Sequence, residues 1–587
     1  MKNLILFLFI IFCCFVANAQ WNNDPAENNL ISPVGAGTYD FEAEKSINGN
    51  VFVTYLQPKS GNIQSVLQII DTDGNMLFPD GGLIVSNKKT ISMTLFGGLL
   101  FVDNDGNAII AVTDCRNSFE KQTSYTLYKV SSTGEMLWGE DGVELAPGMA
   151  FDFVACMSIV QIEDGSYICA WIVVDSYSNT AAIHMQRISN EGELLWSEKE
   201  IPQFNYADTQ YPFLVNAGNN QVVLIFTRGS GRQLMARKID FDGSSVWSED
   251  LYIYRGGFSI PPLQVIIRVI PDQMGGAFVG WYDDRNFINQ ESTYVAHVTS
   301  NGKLGFASGE GGERVGYNEY LRSFTPSMYF DKENNELYVA FRETSSGQGW
   351  QQITGQKLSI PSGELLWEPE GKEIAALTEG QSFALYLLRS DGNGNVAVFF
   401  ESNVWNAIDG YSKDINNVML LNRDGEYIWK DEIIEFTDCV SNKGNMVVTQ
   451  LINNNYWVAI WKDERRLEGE TSTASKIYMQ RINIDGTLGN NYNNLTLNII
   501  DTEKFSVIPS VITESAEIFI KSAKKCTGEI VLYSITGQKI ETIFSGHLHD
   551  GLNTIQWNVQ RSKLSKGIYI VKLETDTERK ALRIIIK

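Results

Sequence analysis

The stretch "EGELLWSE" (191–198) is written again, with small changes, as "TGEMLWGE" (133–140), "SGELLWEP" (362–369) and "DGEYIWKD" (424–431). Its glycine recurs at Gly74, Gly134, Gly192, Gly243, Gly302, Gly363, Gly425 and Gly486, at intervals of 60, 58, 51, 59, 61, 62 and 61 residues. Four residues after each glycine stand Phe78, Trp138, Trp196, Trp247, Phe306, Trp367, Trp429 and finally Asn490, so seven of the eight positions are large aromatics. A period of this length marks a repeat architecture and decides the fold before any single motif does.

The rest of the unit repeats around the turn. Before the glycine lies a strand with apolar residues at every second position, as in "YTLYKVS" (125–131), "IHMQRIS" (183–189) and "IYMQRIN" (477–483). Earlier comes a more continuously apolar strand, as in "GNAIIAVTD" (106–114), "GGAFVGWYD" (275–283) and "NYWVAIWKD" (455–463). Shorter strands precede and follow these two, for example "YPFLVN" (211–216) and "SEDLYIY" (248–254). Four antiparallel strands repeated about eight times predict an all-β fold, an eight-bladed β-propeller over 20–490, with seven blades as the alternative. A β-solenoid has shorter rungs, and a row of sandwiches needs more strands per unit. Trp21 and "NNLISP" (28–33) read like the tail of a unit, so the N-terminal stretch is expected to supply a closing strand.

Bulk properties agree with a large secreted β protein. The 587 residues exceed one simple core, and 43% hydrophobic with 20% charged residues describe a folded chain. Against 70 acidic residues stand 47 basic ones, a formal charge of −23. Such a surface repels phosphate backbones and anionic headgroups, so no nucleic-acid partner is expected. Residues 501–587 hold 13 Lys/Arg and 10 Asp/Glu, which leaves −26 on the first 500 residues and places a boundary near 500. "MKNLILFLFIIFCCFVANAQ" (1–20) has the pattern of a secretory signal: Lys2, an apolar run from Leu4 to Val16, and a cleavage site between Ala19 and Gln20. The signal is read as 1–19. No transmembrane segment is expected, since no later stretch is long and apolar enough. The five remaining cysteines, Cys115, Cys156, Cys169, Cys439 and Cys526, are too few for a disulfide scaffold and show no metal-ligand spacing.

After an Asn-rich linker (491–505) the sequence changes character. The segments "AEIFIKS" (516–522), "GEIVLYSITGQKI" (528–540), "LNTIQWNV" (552–559), "KGIYIVKLET" (566–575) and "KALRIIIK" (580–587) predict a small β-sandwich over 506–587. Their order resembles the C-terminal sorting domain of type IX secretion cargo in Bacteroidota, with matching positions Tyr533, Gly537, Gly567, Tyr569 and the terminal "RIIIK" (583–587). The family's Pro-Asn-Pro-like opening is replaced here by Ile508-Pro509-Ser510. The resemblance implies the type IX machinery as partner, passage through periplasm and outer membrane, and a secreted or cell-surface protein.

The Gly-x-x-x-aromatic turn in turn resembles the tryptophan-docking turn of quinoprotein-type eight-bladed propellers, which implies a structural aromatic packed between neighbouring blades. That enzyme class uses calcium and adjacent cysteines; the one adjacent pair, Cys13-Cys14, lies in the signal, so no cofactor or metal is expected. "DFDGSSVW" (240–247) differs from a sialidase Asp-box in having three residues, not two, between glycine and aromatic. Acid–arginine groups follow the central strands at Asp114 and Arg116, at Asp283, Asp284 and Arg285, and at Asp463, Glu464 and Arg465. Carboxylates near an axis suit glycoside hydrolysis, but their recurrence in register favours pairing across a strand end. "DNDGN" (103–107) and "DGNGN" (391–395) read as hairpin turns, and Trp350 and Trp405 as loop aromatics fit to stack on sugars or to cover blade edges. The expectation is a surface-delivered binding or adhesion module for a glycan or a surface protein, with no assigned catalytic residues. A glycosidase-like secreted hydrolase is the alternative.

Overall fold

The computed structural model describes residues 21–586 except 33–36, 39, 60, 79–80, 89–99, 117–122, 147–152, 176–179, 198–208, 230–232, 257–266, 286–290, 407–410, 468–473, 491–504, 509–510, 513–514, 523, 535–536, 550, 560–563 and 576–578. The cleavage site read at Ala19 and Gln20, and the position of Asn490's successors in the linker, lie outside the described residues. The chain divides into two compact units, 1–489 and 490–587, and the described residues of both are built from strands without an α-helix. No helix among them is long and apolar enough to cross a membrane.

Eight antiparallel sheets follow one another along the first unit. Sheet 1 is Phe41–Lys45, Val51–Lys59, Asn62–Ile70 and Leu83–Ser86; sheet 2 is Leu100–Val102, Ala108–Asp114, Ser124–Val130 and Val143–Glu144. Sheet 3 shows Phe153–Gln161, Tyr167–Asp175 and Thr180–Ile188; sheet 4 is Thr209–Gly218, Gln221–Arg228, Gln233–Ile239 and Leu251–Tyr254. Sheet 5 is Arg268–Pro271, Ala277–Asp283, Ser292–Val298 and Glu313–Arg314. Sheet 6 orders Leu321–Ser323, Glu336–Ser345, Trp350–Ser359 and Lys372–Glu379, with Ser327–Asp331 also on its second member. Sheet 7 is Gln381–Ser390, Val396–Asn406, Tyr411–Leu421 and Ile433–Glu435. Sheet 8 is Lys443–Val448, Tyr456–Asp463 and Lys476–Asn483, and its fourth strand is Asn29–Leu30 from the N-terminal end, paired through Asn29 with Met479 and Leu30 with Tyr478.

Each core of this unit lies between two successive sheets. Phe52, Leu67 and Ile69 of sheet 1 pack on Ala108, Ile110 and Tyr128 of sheet 2, and the pattern continues sheet by sheet to Phe399 and Leu420 of sheet 7 against Trp457 and Trp461 of sheet 8. An eighth core joins Val458, Ile460 and Met479 of sheet 8 to Val51, Val53 and Tyr55 of sheet 1, with Trp21 in it. Middle strands therefore have both faces covered, which is why they read as continuous apolar runs.

The repeated turn has a physical reason at every position. Three residues before the glycine stands Asp71, Ser131, Ser189 or Asn422, whose side-chain oxygen accepts backbone N–H groups of the turn, as Ser131 Oγ does from Glu135 at 3.0 Å and Asn422 Oδ1 from Glu426 at 2.9 Å. The glycine takes a left-handed conformation, φ +92° at Gly192 and +88° at Gly74. It also leaves room. A Cβ at Gly192 would lie 3.0 Å from the Trp138 ring, and one at Gly363 would lie 2.7 Å from Phe306. The aromatic thus lies over the glycine of the following turn, and several of the tryptophans donate their indole N–H to a carbonyl there: Trp138 to Asn190 at 3.0 Å, Trp196 to Phe241 at 2.9 Å, Trp429 to Ile484 at 3.0 Å. Trp21 takes the same place over Gly74 and donates to Thr72 O at 3.1 Å. The slot that Asn490 would leave without an aromatic is filled from the other end of the unit.

The second unit has a three-stranded sheet, Phe505–Ile508, Ser515–Ser522 and Gly551–Asn558, and a five-stranded one, Val511–Ile512, Arg579–Ile586, Gly567–Thr575, Cys526–Ser534 and Lys539–Leu548. Ile518, Ile520 and Trp557 of one sheet share a core with Ile530, Leu532, Val571 and Ile584 of the other.

Candidate functional site

The acid–arginine groups lie at the ends of the second strands of sheets 2, 5 and 8, where the chain leaves for the next hairpin. Asp283 takes Arg285 Nε at 2.8 Å and the Trp281 indole N–H at 2.8 Å, while Arg285 Nη1 donates to Gly311 O at 2.9 Å. Asp463 repeats this with Arg465 Nη2 at 2.6 Å and the Trp461 N–H at 3.0 Å; here Arg465 reaches Ala26 O, Glu27 O and Asn28 Oδ1, just before the N-terminal strand. Asp114 holds Arg116 at 2.6 Å, and Arg116 reaches Asp141 O and the Tyr128 hydroxyl. Arg285 and Arg465 also lie flat on Tyr294 and Tyr478, 3.8 and 4.1 Å from the ring centres. Burial works to raise the Asp463 pKa, but the bonds and charge of Arg465 outweigh it and hold the carboxyl below its ordinary value. Glu464 accepts from Asn442 at 3.0 Å, and Asp284 is engaged as well. Through their arginines these groups tie a strand end to the chain beside the outer strand of their own sheet.

A second set of charges was not anticipated from the sequence. Near the repeated turn Lys129 meets Asp103 at 3.1 Å, His297 meets Asp272 at 2.9 Å and Lys357 meets Glu336 at 3.5 Å, and Arg187 pairs with Asp164. Lys129, Arg187 and His297 each stand five residues before the repeat glycine, a register that could have been read from the alignment of the units. The "DNDGN" and "DGNGN" runs are hairpin turns: Asp103 Oδ1 accepts from Asp105 at 3.0 Å and Asn107 at 2.7 Å, and Asp391 Oδ1 from Asn393 at 2.8 Å. Among the described residues no group of three His, Cys, Asp or Glu could hold a metal ion, and the five cysteines are free thiols.

What remains uncommitted lies in two places. The first is the row of innermost strands. Phe41–Lys45 runs beside Leu100–Val102 of sheet 2 and Lys443–Val448 of sheet 8, and Gln381–Ser390 runs beside Lys443–Val448 from the other side. Phe41 and Ala43 turn into the core, so Glu42 and Glu44 share the opposite face. Glu44 accepts from Val102 N–H at 3.2 Å, and Arg389 forks onto Val448 O at 2.7 Å. Burial, and then the charges of Asp40 and Glu44, push the Glu42 carboxyl up to about 7. Burial likewise lifts Glu44 to about 7, against the pull of the Val102 N–H and Arg389. Burial lowers Arg389 to about 10 and also lowers Arg268, which stands on the innermost strand of sheet 5 and donates to Ile267 O. Glu44 and Arg268 nevertheless keep solvent-open surface. The alternating "FEAEK" (41–45) carried the signal for the two glutamates; nothing local linked them to Arg389.

The second place is the far end of sheets 6 and 7. Trp350 opens the strand Trp350–Ser359 and is 42% exposed, while Trp405 lies on Val396–Asn406 with its side chain outside the described residues. In the C-terminal unit, Tyr533 is half-buried on Cys526–Ser534, Gly537 closes a turn on Ser534 O at φ +84°, Gly567 begins Gly567–Thr575, and Tyr569 packs on the core with its hydroxyl donating to Ser565 O at 2.7 Å.

Residues 512–587 match the family described as secretion system C-terminal sorting domain. The protein is therefore exported through the periplasm and outer membrane, to the cell surface or beyond it, with the type IX machinery as its partner. No curated protein matches the chain. Among solved structures the chain is similar to the polysaccharide lyase Uly1 (11% identity, TM-score 0.41, covering 79% of this chain and 100% of that one). It is also similar to the acylaminoacyl peptidase of Pyrococcus horikoshii (10%, 0.35, 74% and 58%) and to the sucrose-6-phosphate hydrolase of Lactobacillus gasseri (10%, 0.31, 79% and 91%). No activity follows from likenesses of this size.

Proposed function

We propose that residues 20–490, freed of a signal peptide at 1–19 and followed by a linker at 491–505, form an eight-bladed β-propeller that the sorting domain at 506–587 delivers to the cell surface as a binding or adhesion module. The eight sheets, the seven cores between successive sheets, and the eighth core shared by sheets 8 and 1 support the blade count over the seven-bladed alternative. In this reading Phe78, Trp138, Trp196, Trp247, Phe306, Trp367 and Trp429 are docking aromatics, and Tyr533, Gly537, Gly567 and Tyr569 carry the sorting fold. The observation behind the binding role is that each Asp–Arg group suited to hydrolysis serves the frame, tied to its own sheet.

A glycosidase-like reading retains one support. Glu42 and Glu44 are two residues apart on one strand face, about 7 Å by strand rise, a spacing compatible with paired carboxyls in glycoside hydrolysis, and burial raises both to about 7. Incubating the purified mature protein with soluble polysaccharides separates the two. Retardation in polysaccharide-containing gels without new reducing ends is the expected result. Release of reducing ends that disappears in E42Q or E44Q overturns it in favour of hydrolysis.

A further inference from the structure

Sheets 6 and 7 depart from the other units at one end. Their middle strands run to 10 and 11 residues, against seven to nine elsewhere in the unit. The outermost strand of sheet 6, Lys372–Glu379, passes into the innermost strand of sheet 7, Gln381–Ser390, through Gly380 alone, whose N–H donates to Gly349 O at 3.0 Å. The two sheets are thus joined at their tips. Residues 346–350, "SGQGW", and Glu379-Gly380 beside them are all exposed. Trp350 pairs across the strands with Glu379, and it is the one tryptophan in the exposed class among the residues whose side chains are described. Buried indoles in this chain are hydrogen-bonded in most cases and ring-packed; this one is presented to solvent on a hairpin flanked by glycines that no packing contact requires, since a Cβ at Gly347 or Gly349 meets nothing within 4 Å.

Resting on the binding reading above, we propose that this joined tip, with Trp350 at its crest, is a seat for a neutral polysaccharide chain. An indole offers a flat apolar face at low conformational cost, suited to the C–H face of a sugar ring. Ser346 and Gln348 beside it supply uncharged donors and acceptors for hydroxyl groups. Neither Lys nor Arg occurs in 343–352 or 379–388, and the unit as a whole is strongly acidic, so an anionic polymer finds repulsion and no counter-charge. A protein partner needs about 800 Å² on each side, whereas the exposed run here is Ser346 to Trp350 with Glu379 and Gly380.

The test is affinity electrophoresis of the mature full-length chain in gels containing a neutral β-glucan, a neutral mannan or polygalacturonate. At least one neutral polymer should retard the protein; W350A should weaken the apparent affinity tenfold or more, W350F less than threefold, and both should keep the wild-type Tm. Wild-type retardation in W350A overturns the seat, and if E42Q/E44Q then loses it, binding stands but belongs to the innermost strands. Retardation by polygalacturonate alone, or by no polymer, overturns the assignment to neutral sugar. Trp350-dependent cross-linking to a surface protein without retardation overturns it in favour of a protein partner.

Discussion

The two ends of the sheets in the first unit obey different rules. At the glycine-turn end every unit repeats the same device, an aromatic laid over the next glycine and a capped turn beneath it. At the opposite end sheets 2, 5 and 8 carry the Asp–Arg tie, sheets 6 and 7 have longer middle strands and are joined through Gly380, and sheets 1, 3 and 4 show neither among the described residues. Uniformity belongs to the end that fixes how neighbouring sheets meet. Variation is tolerated where side chains tie only their own sheet or face solvent, and there a surface can acquire a ligand without disturbing the frame.

This contrast can be broken by substitution. Removing Asp463 strands the buried Arg465 guanidinium, so Asp463→Ala should cost about 3–5 kcal/mol in denaturant unfolding; a loss below about 1 kcal/mol would show that the tie is dispensable. Trp21→Ala empties the one docking slot served by the N-terminal end, with an expected loss of about 3–4 kcal/mol and faster proteolysis of 21–32; unchanged protease resistance would refute its role. Gly134→Ala adds a left-handed strain of about 1–2 kcal/mol and a clash with Phe78, and so should cost clearly more than Gly537→Ala, which has equal φ strain and open space. Equal losses at both sites would mean that the ring over the glycine contributes nothing.

The smallest effect is a slope with pH. Glu42 and Glu44 hold protons up to about pH 7 in the folded protein, against the ordinary value of 4.5. The folded state binds more protons between these values, so stability is greatest at the acid side and falls as pH rises from 4.5 through 7. E42Q/E44Q should flatten that part of the Tm–pH curve, and an unchanged slope would remove the two carboxyls as its source.

Much of the frame was legible because it is periodic. The glycine–aromatic spacing marked the turns, and the recurrence of Asp-x-Arg in register marked those acids as paired across a strand end. The glycine's second duty was hidden, since the ring that needs its missing Cβ comes from about sixty residues earlier. The approach of Glu44 to Arg389 was hidden for a stronger reason: innermost strands meet only through packing of sheets far apart in sequence, and no local pattern encodes that. Trp350 was legible as a residue, but its prominence depends on the extra strand length of sheet 6.

The seam held by Trp21 and Asn29–Leu30 also bears on timing. Asn28 bonds Gln480 across 452 residues, so the contacts that finish the unit have nearly the largest loop to close. A chain emerging from its N-terminal end leaves Asn29–Leu30 without its strand partner until the last sheet has arrived. The contact that locks the finished unit is thus among the last to form, and the first sheet-forming residues of the chain depend on its last sheet for their partner.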